Sequence, residues 1–483
     1  MQQHLLEVRN NTIGINHSIT TPFGDKKLLY ADWTASGRMY QPIEDYLIQE
    51  VYPYVANTHT ETTYTGSHMT NLYHDSLQNI KRHVGAGEHE VIIASDSGMT
   101  GVMNKFQRIL GLRLHENFTD KINIPEEERP VVFITHMEHH SNHTSWLETI
   151  CEVVIIPVTE EGRIDLSAFD SLLEDHNNRK VKIASVTAAS NVTGVNVPYH
   201  EIAGIVHKHG GYCFVDFACS APYVDIKMYP EQQDQYLDAV LFSPHKFLGG
   251  PGSSGVLIFR KELYKNAVPD HPGGGTVIWT SPFAKHNYMA DIEAREDGGT
   301  PGFLQTIRAA KTIELKDYMG TGFINERKQL LLNTLWEEVA KMNRVRILED
   351  DIRDRQAILS LQFENLYFET VVRALNDIFG IQTRGGCSCA GTYSHYLNNI
   401  SYEQSETIKQ QVIKGNLIAR PGWVRISLHP TMKLDEVRYI AYALQFVLDN
   451  EEAMKKIYTY GDDNLRFSYN KKQALYDQNS GYE

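Results

Sequence analysis

Short runs of apolar, mostly β-branched residues recur along the first 260 positions of the chain, separated by polar or amphipathic stretches. The runs are EVIIAS (90–95), PVVFIT (130–135), EVVIIPV (152–158), KIASVTA (182–188), YCFVDFA (212–218), AVLFS (239–243) and GVLIFR (255–260). Some intervening stretches, such as HEIAGIVHKHG at 200–210, have helical spacing of apolar residues. This alternation predicts an α/β fold with a mainly parallel, seven-stranded sheet covered by helices.

The alternation of apolar runs and amphipathic stretches ends after about residue 300, and this change suggests the domain organisation. Residues 1–25 are predicted to form an N-terminal arm, and residues 26–308 a large domain. Residues 309–342 are predicted to form one long connecting helix. This helix and the residues after it, up to 450, are predicted to form a smaller C-terminal α/β domain. The polar, tyrosine-rich residues 451–483 are predicted to form a peripheral extension.

Composition narrows the class of function. The 483 residues carry 46 Lys and Arg against 60 Asp and Glu, a net charge of −14. An acidic chain repels phosphates, which argues against nucleic-acid or membrane partners. The five cysteines are too sparse for a disulfide framework and favour a reducing compartment. No apolar run is long enough to span a membrane, and the polar N-terminus is unlike a signal peptide, so we expect a cytoplasmic protein.

The most informative residues follow two neighbouring strands. Asp216 ends the run YCFVD, and Lys246 follows the next strand in the sequence SPHK. A lysine at a strand's carboxyl end suits Schiff-base chemistry, and an aspartate on the adjacent strand suits a protonated pyridine nitrogen. Together they predict a pyridoxal phosphate site. Taken singly, each residue is better explained as a surface lysine in a glycine turn or as a helix-capping aspartate, but taken together they favour the pyridoxal phosphate site.

A phosphate cradle is predicted where the strand 90–95 leads into a helix. Gly98, Met99 and Thr100 lie at that helix N-terminus, where backbone N–H groups favour an anion. An ordinary helix cap explains the same residues equally well. Gly250, Gly252 and Gly255 match the spacing of a dinucleotide-binding fingerprint, but they precede a strand instead of opening a helix, so we reject that interpretation.

Two further strands end in polar residues. The segment ITHMEHHSNHTSW (134–146) is dense in histidine, but no Cys or carboxylate at matching spacing supports a zinc site, and no metal is predicted. His139 can instead stack on a flat cofactor ring and handle protons. Asn191, after the strand 182–188, is placed to hydrogen-bond a ring oxygen.

A glycine-flanked Cys-x-Cys occurs near the C-terminal end of the chain. Cys387 and Cys389 follow Arg384, and a nearby cation favours the nucleophilic thiolate. A small-residue loop with incidental thiols is the alternative. Arg425, on a predicted strand, can clamp a carboxylate through two hydrogen bonds, although it also fits a solvated strand position.

Taken together, these segments resemble the class V, fold-type I pyridoxal phosphate enzymes, and within them the cysteine desulfurase and selenocysteine lyase group. The resemblance covers about residues 30–449. The matching segments are YADWTAS (30–36), ANTHTE (56–61), MEHHSN (137–142), SNVTG (190–194), VDFAC (215–219), SPHK (243–246), HPGGGT (271–276), GGTPG (298–302), RGGCSCAG (384–391) and VRISL (424–428).

The resemblance implies a role for each matching residue. Lys246 carries the cofactor and moves the Cα proton, Asp216 keeps the ring nitrogen protonated, and His139 stacks on the ring. The implied phosphate ligands are Gly98, Met99, Thr100, Ser243, His245 and, from the second subunit of a homodimer, Thr276. Asn191 and Cys219 would contact the ring or substrate, Cys219 standing where the family has glutamine. The implied substrate-binding residues are Ala35, Asn191, Arg384 and Arg425, and Cys389 is the implied sulfur acceptor.

The resemblance therefore implies an enzyme that converts L-cysteine to L-alanine and holds the sulfur as a persulfide for an acceptor protein. The alternative is another class V reaction, such as transamination, C–S lysis or epimerisation, in which Cys389 is not the nucleophile. A non-catalytic relative that only binds the cofactor or a partner is disfavoured by the presence of Lys246, Asp216 and Arg425 together.

Overall fold

The structure is a computed structural model that describes residues 2–58, 60–95, 97–119, 121–460 and 467–469. The described residues pack into two compact units. The sheet unit comprises residues 36–190 and 196–321, and the terminal unit comprises the described parts of 1–35, 191–195 and 322–483. The domain organisation expected from the sequence, with boundaries after residues 25, 308 and 450, stays a prediction.

The secondary-structure elements are numbered in chain order. The strands are β1 (Ser18–Thr21), β2 (Gly24–Lys27), β3 (Leu29–Tyr30), β4 (Glu90–Ser95), β5 (Val131–Ile134), β6 (Glu152–Ile155), β7 (Lys182–Thr187), β8 (Tyr212–Asp216), β9 (Ala239–Phe242), β10 (Gly255–Arg260), β11 (Val277–Ser281), β12 (Lys285–Tyr288), β13 (Val345–Ile347), β14 (Ile358–Phe363), β15 (Ile381–Gln382), β16 (Arg384–Gly386), β17 (Trp423–Ser427), β18 (Tyr458–Tyr460) and β19 (Phe467–Tyr469). The helices are α1 (Gln2–Asn10), α2 (Gln41–Tyr46), α3 (Tyr64–His83), α4 (Gly98–Ile109), α5 (Glu116–Thr119), α6 (Thr144–Leu147), α7 (Leu166–Asp175), α8 (Tyr199–Lys208), α9 (Ile292–Glu296), α10 (Phe303–Met319), α11 (Thr321–Val339), α12 (Phe368–Phe379), α13 (Gly391–Leu397), α14 (Tyr402–Ile413), α15 (Leu434–Asp449) and α16 (Glu451–Ile457).

Within the described residues, the sheet unit is built on a seven-stranded sheet in the order β4-β10-β9-β8-β7-β5-β6. The pairs β9–β8, β8–β7, β7–β5 and β5–β6 are parallel, and β10 runs antiparallel to both of its neighbours. Each strand lies within one of the seven apolar runs, so the predicted α/β fold with a mainly parallel sheet is confirmed. Parallel strands bring their carboxyl ends to one edge of the sheet, where ligands bind in such folds.

The runs form strands because most of their side chains are buried. All four residues of β5, all six of β7 and all four of β9 are buried. Helix α4 covers the sheet with an apolar stripe that includes Val102, Met103 and Phe106, each fully buried in the core. This packing fixes the N-terminal end of α4 beside the strand ends.

The terminal unit contains a four-stranded sheet in the order β13-β14-β17-β16. Strand β17 pairs antiparallel with β14 and β16, and all of its residues are buried. Strand β16 is an edge of this sheet among the described residues. Arg425 lies on β17, and the Cys-x-Cys segment follows β16 directly.

The predicted continuous helix over 309–342 is wrong. Helix α10 ends at Met319 and α11 begins at Thr321, and Gly320 between them has a φ of 79°. A positive φ is incompatible with a right-handed helix and is cheap only for glycine, so Gly320 ends the first helix. No helix in the described part of the chain is long and apolar enough to cross a membrane.

Candidate functional site

Lys246 lies where the sequence places it, just after strand β9. Residues Pro244–Lys246 form a single 3-10 turn, in which the Lys246 N–H donates to the Ser243 carbonyl at 3.1 Å. The Gly37 N–H donates to the His245 carbonyl at 2.9 Å and so stabilises this turn. A Cβ on Gly37 would lie 1.8 Å from the Phe247 carbonyl oxygen, so only glycine fits there. The backbone that carries Lys246 is therefore rigidly held.

Asp216 ends strand β8, the parallel neighbour of β9, and its side chain is buried. The Ala218 N–H donates to its carboxylate at 2.8 Å. Burial raises the pKa of Asp216 to about 6, while the Ala218 hydrogen bond and the charge of Lys246 oppose the rise. A buried carboxylate of this kind is stabilised by a cationic partner, such as a protonated ring nitrogen.

The N-terminus of helix α4 supplies the predicted anion cradle. Ser97 precedes the helix without a side-chain cap, and Gly98 has a φ of 60°. A Cβ on Gly98 would lie 3.3 Å from Ser243 Oγ and 3.5 Å from the His245 ring, so both side chains lie beside the helix start. Ser243 Oγ also accepts a 2.9 Å hydrogen bond from the Met99 N–H. The start of α4, which follows β4, thus lies beside two side chains that follow β9.

His139 and Thr100 are joined by a residue that the sequence analysis missed. The Ser141 hydroxyl lies 2.6 Å from Thr100 Oγ1 and 3.1 Å from His139 Nδ1, and the Ser141 N–H also donates to that nitrogen at 3.1 Å. Ser141 therefore fixes the imidazole orientation relative to the start of α4. The motif itself was visible in the sequence, but its serine had no assigned role.

Glu138, the neighbour of His139, is a second residue that the sequence analysis missed. It is fully buried, which raises its pKa to about 8 although Thr135, Asn142 and the Thr187 N–H each donate to it. These bonds tie the loop after β5 to strand β7. Glu138 thus holds the segment that carries His139 and Ser141 in place.

Two other predicted cofactor ligands in the sheet unit make contacts within it. The Cys219 thiol is buried and donates to the Ser190 carbonyl at a distance of 3.6 Å. The Thr276 hydroxyl donates to the Gly273 carbonyl at 2.7 Å within its own glycine-rich loop. Their roles toward a cofactor stay predictions.

In the terminal unit, Arg425 is buried and its guanidinium is already engaged. One terminal nitrogen donates to Asp32 Oδ1 at 2.7 Å, and the other donates to the Asn191 carbonyl at 2.9 Å. Arg425 Nε is buried and finds no hydrogen-bond partner among the described residues. The ion pair with Asp32 was not predicted, because residues almost 400 positions apart meet only through the sheet.

Three further predicted residues also lie in the terminal unit. The Ala35 N–H donates to the Asp32 carbonyl at 3.0 Å, which closes a turn next to that ion pair. Arg384 is exposed on β16 and lies opposite Arg425 in the register of β16 and β17. Asn191 donates through its side chain to the Ser388 carbonyl at 2.7 Å. The terminal unit therefore brings Ala35, Asn191 and Arg425 together around Asp32.

The Cys-x-Cys segment forms a tight turn. The Ala390 N–H donates to the Cys387 carbonyl at 3.0 Å, and the two central residues, Ser388 and Cys389, have φ values of 54° and 59°. This pattern is typical of a type I′ turn, which normally requires glycine or asparagine. Non-glycine residues in this region are strained and concentrate at functional sites. The five cysteines, all within the described residues, form no disulfide; Cys387 and Cys389 are partly exposed, while Cys151, Cys213 and Cys219 are buried.

The sheet unit fits pyridoxal phosphate. Lys246 supplies an amine, Asp216 a buried carboxylate that accepts a hydrogen bond from the Ala218 N–H, and the start of α4 a set of donors for a phosphate. Gly98 leaves room for the backbone to approach a ligand, and Gly255 has no space for a Cβ because Gly98 backbone atoms lie 2.2 Å away. Among the described residues, no group of three or more His, Cys, Asp or Glu side chains is placed to hold a metal. His59 of the ANTHTE segment and most of 461–483 lie outside the described residues.

Comparison with known proteins agrees with this geometry. The profile of the family described as "Aminotransferase class-V" matches residues 29–440. A probable cysteine desulfurase of Staphylococcus epidermidis is 28% identical over 370 residues, 76% of this chain and 84% of that protein. A probable cysteine desulfurase of Staphylococcus aureus is 26% identical over 402 residues, covering 82% and 91% of the two chains.

Solved structures share the fold. The apo structure of a cysteine desulfurase from Thermococcus onnurineus superposes with a TM-score of 0.74 at 21% identity, covering 92% of this chain and 98% of that one. The cysteine desulfurase CsdA of Escherichia coli, in an S-sulfonic acid form, gives 0.71 at 20% identity, covering 92% and 98%. The family profile spans most of the chain, and the fold and the sheet-unit residues agree with it. The chain belongs to the class V aminotransferase family.

Proposed function

We propose that this protein is a pyridoxal phosphate-dependent cysteine desulfurase, which converts L-cysteine to L-alanine and retains the sulfur as a persulfide on Cys389. The observation that carries the proposal is the Cys387–Ala390 turn, which presents a partly exposed thiol on a strained backbone. The relatives named above, which are probable cysteine desulfurases, support the same activity.

The sheet unit holds the cofactor in this proposal. Bound pyridoxal phosphate supplies a carbonyl that reacts with amines and a ring that accepts the electron pair left at the substrate Cα. Lys246 Nζ anchors it and later moves the Cα proton, while Asp216 keeps the ring nitrogen protonated. His139 stacks on the ring, and the phosphate ligands are Gly98, Met99, Thr100, Ser243 and His245. In this proposal Cys219 is a further ligand of the ring.

The terminal unit supplies the groups that act on cysteine. Arg425 binds the substrate carboxylate, for which its buried Nε is still available. Asn191, Ala35 and Arg384 complete the substrate contacts. The Cys389 thiolate attacks the substrate sulfur, so that the Cβ–S bond breaks, an S–S bond forms and Cβ takes up a proton. One cysteine and one enzyme thiol thereby give one alanine and one persulfide.

The function is tested by measuring alanine and sulfide from L-cysteine with a dithiol present. The wild type should release both in equal amounts. Lys246→Ala should abolish turnover, because the cofactor anchor and the proton carrier are both lost. Cys389→Ser should lose sulfide while its visible absorbance with bound cofactor persists, since a serine hydroxyl is a far weaker nucleophile toward sulfur.

One outcome contradicts the desulfurase assignment. If Cys389→Ser releases sulfur at the wild-type rate, Cys389 is not the nucleophile. Another class V reaction on the same cofactor, such as transamination, C–S lysis or epimerisation, then replaces desulfuration.

We further propose that the enzyme is a cytoplasmic homodimer that passes sulfur to an acceptor protein. Free, partly exposed thiols suit a reducing compartment. In the dimer, Thr276 of the glycine-rich loop reaches the phosphate bound by the second subunit. Sedimentation of the cofactor-loaded protein at micromolar concentration should give a dimer, and a monomer that retains the cofactor would contradict this arrangement.

A further inference from the structure

The thiol of Cys387 has no role in the proposed desulfuration, although it shares a turn with Cys389. The other three cysteines are buried, so these two are the partly exposed thiols among the described residues. Resting on the function proposed above, we propose that Cys387 is a second sulfur carrier: it takes the terminal sulfur from the Cys389 persulfide and presents it to the acceptor.

The backbone places the two thiols within reach of one another. Ser388, the residue between them, is in the left-handed helical region with a φ of 54°, and the Ala390–Cys387 hydrogen bond closes the turn. Residues two apart in helical geometry have Cα atoms about 5.4 Å apart, whichever the hand of the helix. This separation falls within the Cα range of bridged cysteines, roughly 4.4–6.8 Å.

A persulfide on Cys389 allows sulfur transfer at a longer distance between the two Sγ atoms. Its outer sulfur extends the Cys389 side chain by one S–S bond, about 2 Å. The two Sγ atoms therefore need not approach to bonding distance for the outer sulfur to be shared between them. The turn is also held from outside, because Asn191 donates to the Ser388 carbonyl at 2.7 Å.

The surroundings of the two thiols differ in a way that gives transfer a direction. Cys389 is followed by the fully buried Ala390 and by helix α13, which anchors it. Cys387 follows Gly386, which has a φ of 100°, at the end of the edge strand β16. An edge strand leaves one side open to a partner chain. Cys387 is thus the thiol better placed to meet an acceptor.

The step balances without an oxidant. The Cys387 thiol first loses its proton, and its thiolate attacks the outer sulfur of the Cys389 persulfide. The new bond joins Cys387 Sγ to that sulfur, and the bond from Cys389 Sγ to it breaks. Cys389 leaves as a thiolate and regains a proton, ready for the next cysteine.

We call this transfer of sulfur from Cys389 to Cys387 the relay. Mass spectrometry of the wild-type holoenzyme tests it without any substitution. The enzyme is mixed with L-cysteine for one turnover, alkylated and digested with trypsin, which releases both thiols on the peptide 385–409. Fragment ions between the two cysteines show where the sulfur lies. We expect an added sulfur on Cys389 at early times and on Cys387 later.

Variants provide the kinetic test, with a dithiol as the probe acceptor. Cys387→Ser should lower the steady-state rate of sulfide release about tenfold, a barrier increase of about 1.4 kcal/mol, and should confine the added sulfur to Cys389. Ser394→Ala is the matched control, because the buried Ser394 hydroxyl on helix α13 finds no partner among the described residues and both thiols remain. It should keep the wild-type rate.

The outcomes separate failure of the relay from failure of desulfuration. Sulfur found only on Cys389 at all times, with Cys387→Ser as fast as the wild type, overturns the relay and leaves desulfuration intact. Sulfur on Cys387 in the Cys389→Ser variant also overturns the relay, since Cys387 would then be the direct acceptor. Absence of alanine and of added sulfur on either thiol overturns the proposed function itself.

Discussion

At the residue scale, positions adjacent to strand ends were predictable and connections between side chains were not. Asp216 was identified because it ends one apolar strand, and Lys246 because it follows the next strand closely; the structure places both at the ends of adjacent parallel strands. Ser141 was overlooked because the orientation of its hydroxyl depends on His139 in its own loop and on Thr100 in helix α4, which is distant in the sequence. The pairing of Asp32 with Arg425 was likewise invisible in the sequence.

Ser141 gives a prediction at the same scale. Ser141→Ala removes the hydroxyl that joins Thr100 to His139, so both side chains lose a fixed partner in the proposed cofactor site. One such hydrogen bond contributes about 0.5–1.5 kcal/mol, so the dissociation constant for pyridoxal phosphate should rise roughly 2–10-fold. Titration of the apoenzyme, followed by visible absorbance, measures this.

The control for that titration is Thr144→Ala. Thr144 lies in the same segment, is exposed and donates only to the His140 carbonyl in the contacts described, so its loss should leave cofactor affinity unchanged. Equal affinity for the Ser141→Ala variant and the wild type would mean that Ser141 does not position cofactor ligands.

At the element scale, periodicity identified every strand of the large sheet but not the interruptions caused by single residues. The strands were visible because the buried strands of this sheet are apolar over most of their four to six residues. Gly320 was not recognised as a helix end, since the apolar pattern continues on both sides of it. The left-handed turn at Ser388 and Cys389 carries neither glycine nor asparagine at its centre, so only the structure reveals it.

Strand β17 carries a prediction about stability. Asp32→Ala leaves the buried guanidinium of Arg425 without its carboxylate, and the side chain of Arg425 is only 2% exposed. Removing one partner of a buried ion pair costs about 3–5 kcal/mol. The urea midpoint of the apoenzyme should therefore fall clearly.

Asp435→Ala serves as the matched control in the urea experiment. Its pair with Arg438 is exposed, with side-chain exposures of 90% and 60%, so its loss should change the stability by less than about 1 kcal/mol. If the two variants shift the midpoint equally, the Asp32–Arg425 pair does not stabilise the terminal unit.

At the scale of the whole molecule, the family is fixed by the match over residues 29–440 and by the shared fold. The proposed reaction depends on far fewer atoms: the amine of Lys246, the carboxylate of Asp216 and the thiol of Cys389. The sequence indicated all three, but the strain in the turn that carries Cys389 became visible only in the structure. That strain is the physical reason to regard the thiol as functional.

The most direct test of the account is a first-turnover count of products. The cofactor-loaded enzyme is mixed with L-cysteine without added thiol, and alanine and protein-bound sulfur are measured together. We expect one alanine for each sulfur retained, with the first sulfur located on Cys389. Sulfur released as free sulfide from the start, with pyruvate in place of alanine and no modified cysteine, would contradict it.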